Sequence, residues 1–175
     1  ILHLVVMSSL DELYREVILD HYRSPRNRGE LECPPAIKSE GKNPVCGDEL
    51  TLYLDIENGI VSDIKMSGTG CSISMASASM MTKAVKGKPI EDARKLIVDF
   101  KKLMDIHETK LESSDKDASA PADSEKASSL GELDALTGVV KFPVRIKCAT
   151  LAFNTLGNGL DMASGENTPA IASSE

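Results

Sequence analysis

The spacing of apolar residues along the chain predicts several amphipathic helices. In these segments Leu, Ile, Val or Met recurs every three or four residues, as it does along the buried stripe of a helix. A Ser9 N-cap with Glu12 three residues later forms a capping box, which predicts the start of the first helix. The predicted helices are residues 9–22, residues 72–86, a segment opened by Pro89 that reaches Met104, a short helix at 130–138, and a final helix that begins near Val144.

Alternation of apolar and polar residues predicts a small sheet. Every second residue is apolar between Glu49 and Glu57, which is typical of a strand with one buried face. Asn58-Gly59 is a hairpin turn signal, and residues 60–66 supply the returning strand. A third strand is predicted around residues 36–39. The predicted fold class is α+β, with a small antiparallel three-stranded sheet and helices packed on it.

The domain prediction is one folded unit at residues 7–163. Residues 113–129 carry only small, polar or charged side chains and one Pro. Such a segment cannot offset its ordering entropy by burial, so we predict a disordered polar insertion. Met7 is the expected natural start, which makes residues 1–6 an extension, and residues 164–175 are predicted to form a flexible tail.

The net charge and the lack of long apolar stretches argue against two classes of protein, those that bind nucleic acids and those that span membranes. The net charge of −7 and the pI near 5.1 argue against a nucleic-acid surface, which requires basic side chains for the phosphates. No stretch approaches the roughly 20 apolar residues of a membrane span. No signal peptide precedes the four cysteines, so the expected location is a reducing cytoplasm in which the thiols stay free.

Three cysteines and one aspartate occupy positions that indicate metal or sulfur chemistry. Cys46 and Asp48 share a turn, whereas Cys71 and Cys148 each stand at the predicted start of a helix. The partial positive charge of a helix N-terminus lowers the pKa of a thiol and favours the thiolate. Three thiolates and one carboxylate make four ligands, the number that tetrahedral zinc requires. Two alternatives stay open, a purely structural metal site and an Asp48 that is an ordinary turn residue.

The cysteines lie in three longer motifs: Asn43-Pro44-Val45-Cys46-Gly47-Asp48, the segment from Gly68-Thr69-Gly70-Cys71 to Ser79, and the segment from Phe142-Pro143 through Lys147-Cys148 to Leu151. These motifs resemble the SufU-type proteins of the IscU/NifU N-terminal superfamily. The likeness covers roughly residues 8–160, with an interruption at the polar insertion, and the first helix also looks like that family. The resemblance implies an IscU-like fold and a role in iron–sulfur cluster assembly.

The insertion and Lys147 resemble the SufU subclass, since the IscU scaffolds usually carry His before the third Cys and have no insertion. That subclass implies a zinc-dependent sulfurtransferase. It would accept persulfide sulfur on Cys46 from a SufS-type cysteine desulfurase and pass it to downstream iron–sulfur assembly proteins. The implied zinc ligands are Cys46, Asp48, Cys71 and Cys148, and Arg145 resembles a family residue that lies near the metal.

Two other functions remain open at this point. The first is a scaffold that assembles a labile [2Fe–2S] cluster on the same ligands, and the second is a structural zinc protein that only mediates contacts. Arg145 and Lys147 are equally well explained as solvated charges at a helix start. Cys33 lies outside every motif and is predicted to be an exposed loop thiol without function, and His21 is predicted to be a helix-end residue and not a ligand.

Overall fold

The computed structural model describes residues 2–112, 130–165 and 172–173. It contains four α-helices, a 3-10 helix and four strands in these ranges. The helices are α1 (Leu2–Arg23), α2 (Ser72–Val85), α3 (Ile90–Glu112), the 3-10 helix (Gly131–Lys141) and α4 (Pro143–Ala163). The strands are β1 (Ile37–Asn43), β2 (Asp48–Glu57), β3 (Ile60–Thr69) and β4 (Ala172–Ser173). Within the described ranges, no helix is both long enough and apolar enough to cross a membrane.

The strands form one sheet in the order β3-β2-β1-β4. Neighbouring strands among β1, β2 and β3 are antiparallel, which confirms the predicted three-stranded sheet and the α+β class. Asn58 and Gly59 have φ angles of 53° and 74°, the left-handed conformation that a tight hairpin turn of this twist requires. The two-residue β4 adds a parallel edge beside β1, which the sequence did not predict.

One face of the sheet is buried under α4 and α2. Leu50, Leu52 and Leu54 of β2 are at most 1% exposed, as their alternation predicts. A β-carbon on Gly159 of α4 would overlap the Leu54 side chain, so the helix lies unusually close to the sheet. Phe153 of α4 also stacks on a phenylalanine of α3 with ring centroids 3.9 Å apart. These contacts determine the distance between α4 and the sheet. They therefore also determine the positions of the α4 side chains that face the sheet.

Two helices differ from the sequence predictions, one in where it begins and the other in its type and where it ends. The first helix begins at Leu2 and not at Ser9, because the preceding residues include no Gly or Pro that would interrupt it, and the predicted capping box therefore lies inside the helix. The short predicted helix after the insertion is a 3-10 helix that continues to Lys141. The predicted disordered insertion at residues 113–129 and most of the predicted tail lie outside the described residues.

Candidate metal centre

The turn between β1 and β2 carries the first two functional side chains. Asn43 pairs with Asp48 as the last rung of the β1–β2 ladder, so residues 44–47 form a closed turn. Gly47 has a φ of 70°, a conformation that glycine adopts without steric cost. Cys46 is half-buried on this turn, whereas Asp48 is only 1% exposed. The turn therefore presents one accessible thiol and one buried carboxylate.

Cys71 is the N-cap of α2, as predicted. Its sulfur accepts a hydrogen bond from the backbone N–H of Ser74 at 3.4 Å. Its own backbone N–H donates to Asp48 Oδ1 at 2.8 Å, which joins the helix start to β2. A β-carbon on Gly70 would lie 2.8 Å from the same carboxylate oxygen, so this glycine leaves the space that Asp48 occupies.

Cys148 comes from α4 and is fully buried. It lies in the second turn of α4, which begins at Pro143, so the prediction that it stands at the helix start is wrong. The field of a helix terminus falls off within the first turn and does not favour its thiolate. Burial raises the pKa of Cys148, and the hydrogen bond that it donates to Cys46 Sγ at 3.2 Å raises the pKa further. Burial therefore disfavours the Cys148 thiolate unless a nearby cation compensates for its charge.

These side chains meet in one place. The ligand atoms of Cys46, Asp48 and Cys148 all lie within 4.8 Å of one another. Cys71 stands just outside that set, with its sulfur 4.0 Å from Asp48 Oδ2. Tetrahedral zinc with bonds of about 2.3 Å to sulfur separates its ligand atoms by about 3.7 Å. The Cys46–Cys148 separation of 3.2 Å and the Cys71–Asp48 separation of 4.0 Å lie on either side of this value, so the chemistry of the donors fits zinc, and Cys46, Asp48 and Cys148 are already gathered closely enough to share one ion.

Arg145 is the cation that reaches the cysteines. Its side chain is exposed, and a hydrogen bond with Cys148 raises the pKa of its guanidinium, with smaller contributions from the charges of Cys71 and Cys46. Lys147 is also exposed and has no hydrogen bond or ion pair with the cysteines within the described part of the chain. Of the two predicted cations on α4, Arg145 is therefore the one in position to offset negative charge.

The sequence reasoning missed Asn43. This side chain has no exposed surface, and its amide nitrogen lies 3.3 Å from Asp48 Oδ2 and 3.4 Å from Cys148 Sγ. The available signal was its place in the motif, because it is the residue that pairs with Asp48 when the turn closes into a hairpin.

Two other candidates lie away from this centre. Cys33 is exposed and its thiol donates only to the nearby Leu31 carbonyl. His21 lies in the last turn of α1, as predicted, but it is buried, and its ring is hydrogen-bonded to Ser79 of α2 at 2.8 Å and to Glu132 of the 3-10 helix at 2.9 Å. Within the part of the chain that the structure describes, neither residue belongs to the group of ligand atoms at this centre.

Comparison with known proteins identifies the family. Residues 13–149 match the model of the NifU-like N terminal domain, and the chain belongs to this family. The predicted resemblance to SufU proteins of the IscU/NifU superfamily is thereby confirmed.

Three relatives illustrate the similarity. The chain is 44% identical over 160 residues to the zinc-dependent sulfurtransferase SufU of Bacillus subtilis, which covers 91% of this chain and 97% of that protein. It is 40% identical over 152 residues to the iron–sulfur cluster assembly scaffold protein IscU of Streptococcus pyogenes, which covers 87% and 85% of the two chains. A crystal structure of FiSufU from Fervidobacterium islandicum AW-1 matches with a TM-score of 0.67 and 29% identity over 83% of this chain and 94% of the other.

The names of these relatives agree with the predicted cofactors. The Bacillus subtilis relative is zinc-dependent, in agreement with zinc as the first choice. The IscU relative is a scaffold for iron–sulfur cluster assembly, in agreement with a [2Fe–2S] cluster as the alternative.

Proposed function

We propose that this protein is a zinc-dependent sulfurtransferase of iron–sulfur cluster assembly. It accepts persulfide sulfur on Cys46 from a SufS-type cysteine desulfurase and passes it to downstream assembly proteins. The observation that carries the proposal is the position of Cys46, a half-buried thiol on a turn, 3.2 Å from a fully buried one. The similarity to the zinc-dependent SufU relative supports it. The four free cysteines are consistent with work in a reducing cytoplasm.

The proposed zinc ligands are Cys46, Asp48, Cys71 and Cys148. Bound zinc would supply the positive charge that keeps these thiols deprotonated at neutral pH. Three thiolates and one carboxylate outnumber the two positive charges of Zn²⁺, so the centre retains net negative charge. Arg145 offsets part of that charge from the solvent side, because its guanidinium is hydrogen-bonded to Cys148 while its side chain stays exposed.

Cys46 is the proposed acceptor because of where each thiol is attached. Cys71 caps α2 and Cys148 is buried in α4, so neither sulfur can move without disturbing a helix. Cys46 lies on the turn between β1 and β2, whose tip contains Gly47 at a positive φ. The turn can therefore bring its thiolate toward a partner while the rest of the centre stays in place.

The chemical step is a displacement at sulfur. The Cys46 thiolate attacks the outer sulfur of the persulfide on the desulfurase cysteine. A new S–S bond forms at Cys46, the desulfurase S–S bond breaks, and the desulfurase cysteine leaves as a thiolate with the electron pair of that bond. The step requires no external oxidant or reductant. A second displacement of the same kind moves the sulfur from Cys46 to the recipient.

A scaffold function is the second candidate, supported by the 40% identity to IscU of Streptococcus pyogenes. The same donor set would then hold a [2Fe–2S] cluster, since thiolates are also the usual ligands of such clusters. Purification without added iron distinguishes the two. Colourless protein with about one zinc per chain supports sulfur transfer, whereas brown protein with acid-labile sulfide supports the scaffold.

Mass spectrometry after incubation with desulfurase and cysteine tests the acceptor. We expect the added sulfur on Cys46 in the wild type and none in Cys46→Ser, because a hydroxyl is a poor nucleophile toward sulfur and a weak zinc ligand. Cys33→Ser is the matched control, since it removes an exposed thiol outside the centre, and it should accept sulfur normally. Sulfur found on Cys71 or Cys148 in the wild type contradicts the assignment. If the protein binds zinc but never acquires sulfur, it is a structural zinc protein that only mediates contacts.

A further inference from the structure

The Asn43 side chain makes three hydrogen bonds, and all of them are at the metal centre. Its amide nitrogen donates to Asp48 Oδ2 at 3.3 Å and to Cys148 Sγ at 3.4 Å. Its carbonyl oxygen accepts from the backbone N–H of Val45 at 3.3 Å, inside the turn that bears Cys46. An Asn amide has two donor hydrogens, and both of them are used here. The orientation is also the sensible one, because a flipped amide would set its oxygen against a carboxylate.

We infer that Asn43 is a positioning residue that holds two of the proposed zinc ligands and the turn of a third. The inference rests on the proposed function, since it concerns the same centre. Asp48 and Cys148 come from β2 and α4, which approach the centre from different parts of the chain. One buried amide that donates to both fixes the distance between them.

The chemistry suits a centre with net negative charge. The amide directs two N–H dipoles at a carboxylate and a thiolate, and its neutral nitrogen does not compete as a ligand. Replacing it with an apolar side chain removes one donor from each of two buried acceptors, although the Cys71 N–H still donates to Asp48. Substitution of side chains that hydrogen-bond to metal ligands typically lowers metal affinity by about 10- to 100-fold.

Asn43 also favours Cys46 as the ligand that moves. Its two donor bonds restrain Asp48 and Cys148 directly. Cys46 receives no bond from the amide and is linked to it indirectly, through the backbone N–H of Val45 and through the hydrogen bond from Cys148. The side chain therefore immobilises the ligands around the acceptor while leaving the acceptor sulfur free to turn outward.

The test compares Asn43→Ala with Ser39→Ala. Ser39 is the matched control because it is also on β1, is 3% exposed, and donates one buried hydrogen bond, to the Thr155 carbonyl at 2.8 Å. Zinc affinity is measured by competition with a chromophoric chelator, and the cobalt-substituted proteins are compared by absorption. The melting temperature of each metal-free protein is recorded by circular dichroism.

We expect Asn43→Ala to bind zinc about 10- to 100-fold more weakly than the wild type. Its sulfur-to-cobalt charge-transfer band should move to longer wavelength, because a thiolate that loses an N–H donor holds its lone pairs less tightly. Ser39→Ala should melt at a lower temperature with unchanged zinc affinity and an unchanged band. Asn43→Ser keeps one donor and an acceptor for the Val45 N–H, so it should bind zinc with an affinity between those of the wild type and Asn43→Ala. If Asn43→Ala does not fold, the comparison is made with Asn43→Ser instead.

Wild-type affinity and an unshifted band in Asn43→Ala would overturn the inference, and so would an equal loss of affinity in Ser39→Ala. The proposed function is tested separately, by measuring zinc binding and sulfur acceptance in the wild type. A wild type that binds zinc but accepts no sulfur refutes sulfur transfer and leaves the Asn43 comparison decisive. A wild type that binds neither zinc nor cobalt refutes both.

Discussion

Asp48→Ala should destabilise the protein even when no metal is bound. The carboxylate is buried and accepts the backbone N–H of Cys71 at 2.8 Å and the Asn43 amide at 3.3 Å, and thereby joins α2 and β1 to the end of β2. A hydrogen bond to a charged group contributes about 1.5–3 kcal/mol, and the longer second bond about 0.5–1 kcal/mol. The free energy of unfolding should therefore fall by about 2–4 kcal/mol, which for a chain of this size lowers the melting temperature by roughly 5–15 °C.

Urea unfolding of the chelator-treated protein, followed by far-UV circular dichroism, measures this difference. Asp55→Ala is the control, because Asp55 is on the same strand, about 23 Å from Asp48 by the rise of a strand, and the free energy of unfolding should change by no more than about 0.5 kcal/mol. With zinc present, Asp48→Ala should also bind the metal more loosely and accept less sulfur, since three thiolates remain without the carboxylate. Equal unfolding midpoints for Asp48→Ala and the wild type would refute the contribution of these bonds. Unchanged zinc affinity and sulfur transfer would make Asp48 an ordinary turn residue.

Three further outcomes follow from packing, metal removal and pH. Gly159→Ala should lower the free energy of unfolding by about 1–3 kcal/mol, measured by urea unfolding, because the new β-carbon overlaps the Leu54 side chain; an unchanged midpoint would contradict the close approach of α4. Chelation of zinc should lower the melting temperature and speed hydrogen exchange in the turn between β1 and β2 while the core stays protected, and unchanged exchange there would contradict a metal bound at the turn. Burial raises the pKa of Glu132, but hydrogen bonds with Lys83 and His21 outweigh it and hold the pKa below its usual value of 4.5. This stabilisation is present above pH 4.5 and is lost as the pH falls through the folded-state pKa, so the stability difference between the wild type and Glu132→Gln should shrink on acidification, and a constant difference would refute it.

The sequence predicted the elements that depend on local patterns. The strand alternation and the Asn58-Gly59 turn placed the hairpin correctly, because both signals act over a few residues. The N-cap position of Cys71 was also local, since Gly70 follows the end of β3 and an Ala- and Ser-rich helix begins directly after the cysteine.

The remainder depends on contacts between distant segments. The burial of Cys148 follows from how deeply α4 packs on the sheet, which the position of a proline at a helix start does not reveal. The role of Asn43 appears only when β1 and β2 pair and α4 brings a sulfur to the amide, across 105 positions of sequence. The hydrogen bonds of His21 to Ser79 and Glu132 likewise join three elements that are distant in the chain.

The 3.2 Å separation between the sulfurs of Cys46 and Cys148 has a practical consequence for anyone who handles the protein. A disulfide requires an S–S distance of about 2.05 Å, so the two sulfurs would have to approach by about 1 Å to join when an oxidant accepts the two electrons. Oxidation would remove the accessible thiol and the buried one together, and the product would bind no metal through either. A bound metal ion acts here as a protecting group, and chelated preparations need a reductant throughout if their thiols are to be counted correctly.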